Sequence, residues 1–320
     1  MRSGLLRASL RLRPPYRLHQ VYERLLGTEV ELQVVADRRE QAERAEAAAL
    51  DELERLSTVL NRFDPHSELR RWLARPGERL WPSPELLNVL RQADRWRLLS
   101  GGAFHPGADA LGALWQRAQE QGRLPQPEPL AAQVGALADP PWTLHADGSV
   151  TLHASYPLGL NALAKGFIVD RMLEAARACG GVRAVLVNAG GDLRTSGGRG
   201  TEVLVSDPRT RHDNAPPLSR IRVRDAALAT SGAAHRHWTV AGRRYAQVLD
   251  PRSGWPVEAL PGVSVIAPTC ADADALATVL CVLRPDDGLA LLDTLPGTAA
   301  LLCPATGPPI PSRHWPHPVL

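Results

Sequence analysis

Apolar and polar residues alternate through 18–36 and close on Glu29-Val30-Glu31-Leu32-Gln33-Val34-Val35, which predicts an edge or hairpin strand with one buried face. The period then lengthens. Ala45, Ala48, Ala49, Leu53, Leu56 and Leu60 recur every three or four residues within 38–60, predicting an amphipathic helix that stops near Asn61, ahead of Asp64-Pro65. A second helix is predicted over 84–99, with Ser83 as its cap and Pro84 and Glu85 suited to its first turn. Pro, Gln and Ala accumulate over 120–142, which reads as a surface loop or short helices between lobes. Trp142-Thr143-Leu144-His145 and Ser149-Val150-Thr151-Leu152 flank Ala146-Asp147-Gly148, a strong hairpin signal.

The second half continues in the same style. A helix is predicted over 166–179 and a buried strand over 182–188, ending at Ala189-Gly190-Gly191-Asp192. Strands are predicted at 201–206 and 219–224, around a Pro-rich loop. Residues 238–240 and 245–249 pair across Ala241-Gly242 as a hairpin, and a strand at 263–267 precedes a helix at 271–282. Strands and helices mix without regular β-α-β alternation, so an α+β fold with antiparallel sheet is favoured over a doubly wound one. No internal repeat is visible.

Composition narrows the function. The 320 residues can bury a substantial core, as one large domain or two ordinary ones. With 44% hydrophobic and 22% charged residues, wholesale disorder is disfavoured. The net charge of +3 is small and the basic residues are scattered, which argues against nucleic acid as a partner. No run of 18 apolar residues predicts a transmembrane helix. Residues 1–17 carry five arginines but no signal-peptide hydrophobic region, cleavage site or early cysteine, so the chain as written reads as cytoplasmic. Cys179, Cys270, Cys281 and Cys303 form no C-x-x-C pair and are expected as structural thiols rather than disulfides or zinc ligands, and the runs around Cys179, Cys270 and Cys281 suit small buried hydrophobes. Of 37 Lys and Arg residues only Lys165 is lysine. Codon bias would leave such a residue by chance; a site needing a compact ammonium would retain it.

Five segments could carry chemistry. Residues 159–170, Gly159-Leu160-Asn161-Ala162-Leu163-Ala164-Lys165-Gly166-Phe167-Ile168-Val169-Asp170, place a lysine and a glycine where a helix begins, suited to an anion or to an ordinary turn. Asn188-Ala189-Gly190-Gly191-Asp192 reads foremost as a tight turn, as does Ala229-Thr230-Ser231-Gly232, although both could approach a phosphate. Asp250-Pro251-Arg252-Ser253-Gly254-Trp255-Pro256 has the residues of a turn capped by Asp. In Asp272-Ala273-Asp274-Ala275-Leu276-Ala277-Thr278, Asp274 and Thr278 lie four apart and share one helix face. A carboxylate and a hydroxyl on an otherwise apolar helix cost free energy to bury unless satisfied, and a hard cation would satisfy them; a capping role is the alternative.

These segments, in this order, resemble the ApbE family of flavin transferases over about 25–283. Leu26-Gly27-Thr28 resembles the family's M-G-T. Gly101-Gly102-Ala103-Phe104-His105-Pro106, with Leu114-Trp115 after it, resembles G-A-F-D-P and L-W. Residues 162–166 resemble A-x-A-K-G, and Ala229-Thr230-Ser231-Gly232 matches A-T-S-G. Residues 245–256 resemble R-Y-S-H-I-I-D-P-R-T-G-x-P, and Asp274-Ala275-Leu276-Ala277-Thr278 matches D-A-L-A-T.

The resemblance implies one family domain over 20–290, an N-terminal extension at 1–19, and a C-terminal strand region with a Pro-rich tail at 291–320. It implies a two-lobed α+β fold with mixed or antiparallel sheets and FAD in the cleft between lobes. Magnesium would be held by the side chains of Asp274 and Thr278 and the carbonyl of Ala162. FAD would be lined by Ala103, Phe104, His105, Gly159, Lys165 and backbone near Val248. The implied activity is magnesium-dependent transfer of FMN from FAD to a Thr or Ser of an acceptor protein, with release of AMP. The family is often periplasmic or membrane-anchored.

Three positions depart: Gly159 where the family has Asp, His105 where it has Asp, and Gln247 where it has His. That His is the candidate for activating the acceptor hydroxyl, and Gln cannot take up a proton at neutral pH. No catalytic base is therefore assigned. Lys165 would assist, and His105, His235 and His237 are the open substitutes. An FAD-binding carrier or partner subunit that has lost transfer, and an FAD pyrophosphatase, are the competing expectations.

Overall fold

The alternating stretch at the start folds as two strands, β1 (Tyr16–Leu25) and β2 (Thr28–Ala36), antiparallel across a tight turn at Leu26-Gly27. Both turn residues have positive φ, 53° and 74°, the conformation that a two-residue hairpin between right-twisted strands requires. The computed structural model describes residues 14–210, 215–232 and 237–318. His235 and most of the arginine-rich start lie outside the described residues.

After β2 comes α1 (Arg39–Leu60), which buries Ala42, Ala45, Ala49, Leu53, Leu56, Val59 and Leu60, the stripe its period predicts. Then follow α2 (Glu68–Leu73), β3 (Arg79–Leu80) and α3 (Pro84–Leu99), where the Ser83 side chain accepts a hydrogen bond from Leu86 N. Next are α4 (Ala108–Gln121), α5 (Pro127–Ala138), β4 (Trp142–Leu144) and β5 (Val150–Leu152). The second half runs α6 (Asn161–Ala178), β6 (Val182–Ala189), β7 (Asp192–Gly197), β8 (Thr201–Val205), β9 (Ser219–Val223) and β10 (Ala227–Gly232). It closes with β11 (His237–Val240), β12 (Arg243–Ala246), β13 (Gly262–Ala267), α7 (Cys270–Val282), α8 (Pro285–Asp293), β14 (Ala299–Cys303) and β15 (Ile310–Pro311).

Eight strands form one sheet in the order β1-β2-β6-β7-β10-β13-β14-β15, with every pairing antiparallel. Helices α1, α6 and α7 pack on it and on one another, enclosing the main core. α7 is apolar almost all round and buries ten of its residues, as a helix wedged between a sheet and another helix must. Leu276 alone, fully buried, contributes about 2 kcal/mol of hydrophobic stabilisation. A smaller core brings α4, α5 and the β11–β12 hairpin together around Trp115, whose ring centre lies 4.9 Å from Tyr245, 5.4 Å from Trp255 and 5.9 Å from Trp238. The α+β architecture with antiparallel sheet is as expected from the sequence.

Three local expectations change. The helix expected over 166–179 begins earlier, at Asn161, because Leu160 O accepts from both Leu163 N and Ala164 N and starts the first turn. Residues 229–232 are not a turn but lie in β10, paired to β13 from Ala229↔Val265 to Gly232↔Gly262; their small side chains suit a central strand under α7. The partner of β11 is Arg243–Ala246 rather than 245–249, since the two-residue turn Ala241-Gly242 fixes Val240 opposite Arg243. Residues 127–138 within the Pro-rich stretch form α5, a short helix as expected there, with Pro in its first turn.

Candidate functional site

α6 and α7 meet at one point. A Cβ on Gly166 would lie 2.5 Å from Cys270 O and 2.7 Å from Ala271 N, so only glycine permits this approach. One turn further along α6, the buried carboxylate of Asp170 accepts from Cys270 N at 2.8 Å and Ala271 N at 3.0 Å, capping the start of α7. Arg194 pairs with the same carboxylate at 3.0 Å. Asp272 is also structural: Thr269, Arg95 and Trp96 all hydrogen-bond to it. Asp170 and Asp272 are thus engaged within the fold, whereas Asp274 is left for other work.

Asp274 has an unusual setting. Its Oδ2 is buried and has no hydrogen-bond partner among the described residues. Burial, with Asp192 adding to it, pushes its pKa well above the carboxylate range against the pull of Lys165. Thr278 lies one helical turn on and is half-buried. Lys165 ion-pairs with the buried Asp192, the first residue of β7. Burial opposes the Lys165 ammonium, but Asp192 and Asp274 outweigh it and hold its pKa above the usual value. Asp192 is raised by burial against the opposing pull of Lys165, and it also accepts from the backbone of Thr230. Two carboxylates thus share one ammonium, and a further cation beside Asp274 would balance them.

Three of the five segments meet here through Lys165, Asp192 and Asp274, and a fourth, residues 229–232, reaches them through the Thr230 backbone. The turn at Gly190-Gly191 has φ of 60° and 98°, and a Cβ on Gly190 would strike Thr28, which ties the opening Leu26-Gly27-Thr28 to this corner. Ala162 sits at a kink in the first turn of α6, with ψ of 15° in place of the helical value, which turns its carbonyl off the helix axis. Asp192 was not singled out in the sequence as a site residue; its signal was its place directly after two glycines at a strand end.

The remaining expected residues lie in the 103–105 loop, just before α6 and just after β12. Ala103, Phe104 and His105 are buried. His105 Nδ1 accepts from Gly107 N at 2.9 Å, which requires a neutral ring, and burial followed by the nearby Arg97 lowers its pKa to about 4. His105 therefore does not act as a base through Nδ1. Gly159 N donates to Pro106 O at 2.8 Å, joining this loop to the start of α6. Val248 O is taken by Val257 N at 3.0 Å. Gln247 is exposed, and His237 contacts Arg244 at 3.0 Å. The 250–256 segment is the Asp-capped turn expected: Asp250 Oδ1 accepts from Arg252 N, and Gly254 O accepts from Trp115 Nε1 at 2.8 Å. A surface cavity of about 440 Å³ lined by Arg222, Arg224 and His314 among others shares no residue with this region.

Comparison with known proteins gives the lineage. The profile of the ApbE family matches residues 26–302. A FAD:protein FMN transferase of Treponema pallidum is 32% identical over 220 residues, spanning 63% of this chain and 60% of that protein. The FAD:protein FMN transferase of Chlamydia pneumoniae is 30% identical over 274 residues, 81% of this chain and 80% of that protein. The ApbE protein of Thermotoga maritima superposes with a TM-score of 0.79 at 26% identity, covering 93% of this chain and 97% of that one. The flavinyl transferase ApbE of Pseudomonas stutzeri gives 0.78 at 23% identity over 95% and 97% of the two chains, a likeness of fold. The profile match over most of the length, on a fold that brings Lys165, Gly166 and Asp274 together at one helix junction, places this chain in the ApbE family.

Proposed function

We infer that this chain is a magnesium-dependent FAD:protein FMN transferase that moves FMN from FAD to a Thr or Ser of an acceptor protein and releases AMP. The observation that carries the reading is Asp274 Oδ2, buried and unpartnered one helical turn from Thr278 and beside the only lysine. The donor set suits magnesium: one carboxylate, one hydroxyl and the Ala162 carbonyl, with other positions left to water and pyrophosphate. It contains one carboxylate rather than a cluster; no group of three His, Cys, Asp or Glu is gathered among the described residues. When bound, the ion would neutralise charge on the FAD pyrophosphate and on the leaving AMP.

The chain's own residues then have defined tasks. Lys165, fixed by Asp192, presents a compact positive charge to the phosphates at the start of α6. Ala103, Phe104, His105, Gly159 and the backbone at Val248 line the flavin nucleotide. In the transfer, the acceptor hydroxyl oxygen bonds to the FMN phosphorus, the bond from that phosphorus to AMP breaks, and the hydroxyl proton passes to an acceptor other than Gln247. The test is in-gel flavin fluorescence of an acceptor domain incubated with the chain, FAD and magnesium. A labelled band is expected; a dark band, with a relative labelling the same acceptor in parallel, would overturn the reading.

Gln247 favours a second reading, a protein that binds FAD without transferring it. It differs in outcome: FAD is retained, no AMP forms, and Gln247→His makes labelling appear. AMP released steadily without any acceptor would instead indicate FAD pyrophosphatase activity.

A further inference from the structure

Gly159 occupies the place where the family motif has an aspartate, yet the space its side chain would fill is not empty. A Cβ built on Gly159 would lie 2.7 Å from Cγ and 3.0 Å from Oδ1 of Asp109. Asp109 stands in the first turn of α4, fifty residues earlier in the chain. The backbone of Gly159 lies outside the left-handed region, so a residue with a side chain could adopt it; what forbids one is the Asp109 carboxylate. That carboxylate is anchored on one side only. Arg62 Nη1 donates to Oδ2 at 2.6 Å, while Oδ1 makes no hydrogen bond among the described residues and the side chain is 40% exposed. Arg62 is itself held across the Phe63 ring, 5.3 Å from its centre. The pair stands where the Ala103–His105 loop joins the start of α6, through the bond from Gly159 N to Pro106 O.

We propose that Asp109 carries the carboxylate that position 159 has lost, so that FAD is positioned from α4 instead of from the loop before α6. This rests on the FAD reading above. An anionic acceptor cannot face the pyrophosphate, which Lys165 and magnesium would hold, so Asp109 receives a donor of FAD, a ribityl or ribose hydroxyl or a ring N–H. Arg62 orients the carboxylate through one oxygen, leaving the other for the ligand. The exchange is reciprocal: a carboxylate can occupy this volume from either backbone position, but two cannot occupy it together, because contact and like charge both forbid it.

The test uses the full chain and reads FAD affinity by fluorescence quenching, with the ligand-free melting temperature as a check on folding. Asp109→Ala is expected to weaken FAD binding at least about tenfold, the scale of one charge-assisted hydrogen bond. Gly159→Asp alone is expected to weaken it too. The double variant Asp109→Ala/Gly159→Asp is expected to recover affinity to within about threefold of wild type, a rescue that loss of a merely structural Arg62 partner would not give. Wild-type affinity in Asp109→Ala, or a folded double variant as weak as the single one, would overturn the proposal. A wild-type chain that binds no FAD at all would overturn both this inference and the function on which it rests.

Discussion

The α6–α7 junction keeps the residues of the family motifs, whereas the wall formed by the Ala103–His105 loop, α4 and the Asp250–Pro256 turn departs from them. At the junction, Lys165, Gly166, Asp274 and Thr278 stand unchanged from the family pattern, and the geometry leaves little freedom: glycine contact on one side, a capped helix start on another, and two carboxylates around one ammonium. On the wall, Gly159, His105 and Gln247 all depart, yet each residue fits its surroundings. The contrast separates two demands. A cation site fixes residue types because charge must balance in a buried place. A surface that holds a nucleotide needs a group at a position in space, which more than one backbone site can supply.

Asp274→Ala breaks the junction most severely. Transfer should fall on the order of 100-fold or more, since the only anionic protein ligand is gone. Without magnesium the same variant should be at least as stable as wild type, because it removes a buried carboxylate oxygen that lacks a partner. Paired activity and thermal melts in EDTA check both parts. A variant that unfolds in EDTA would make Asp274 a structural cap and end the metal assignment.

Gly166→Ala tests the packing rather than the charge. Its Cβ meets backbone atoms of Cys270 and Ala271 that cannot rotate away, so stability should drop by about 3 kcal/mol, the upper range of overpacking. Denaturant midpoints would show this; a neutral effect would mean that the helices separate freely.

His105 sharpens the wall side. Its folded pKa, about 4, lies below the unfolded value near 6.5, so the unfolded chain binds more protons between them. The stability tied to neutral His105 is fully present above about pH 6.5 and is lost as pH falls toward 4, amounting to at most about 3 kcal/mol. His105→Asn, which keeps an acceptor for Gly107 N, should flatten the stability curve over that window. Parallel curves for the two proteins would contradict the assignment. Thr278→Val should have the smallest effect, less than about tenfold on transfer, since water can replace a neutral ligand.

The legibility of these two regions differed for physical reasons. α1 and α3 were plain from their apolar stripes and from Ser83 before Pro84, and the motif order marked Lys165, Asp274 and Thr278. β10 was hidden because a central strand of small residues has no alternation to read. α4 escaped because Gly107 and Gly112 interrupt its start. Asp192 and Asp109 were missed as site residues because their importance lies in contacts across the fold, with Lys165 and Gly159, which no local period encodes.

The most direct measurement is the mass of an acceptor domain after incubation with the purified chain, FAD and magnesium, with AMP assayed in the same tube. The expected result is an added FMN on a Thr or Ser, AMP in equal amount, and neither product with Asp274→Ala. An acceptor of unchanged mass, beside a relative that labels it under the same conditions, would contradict flavin transfer by this chain.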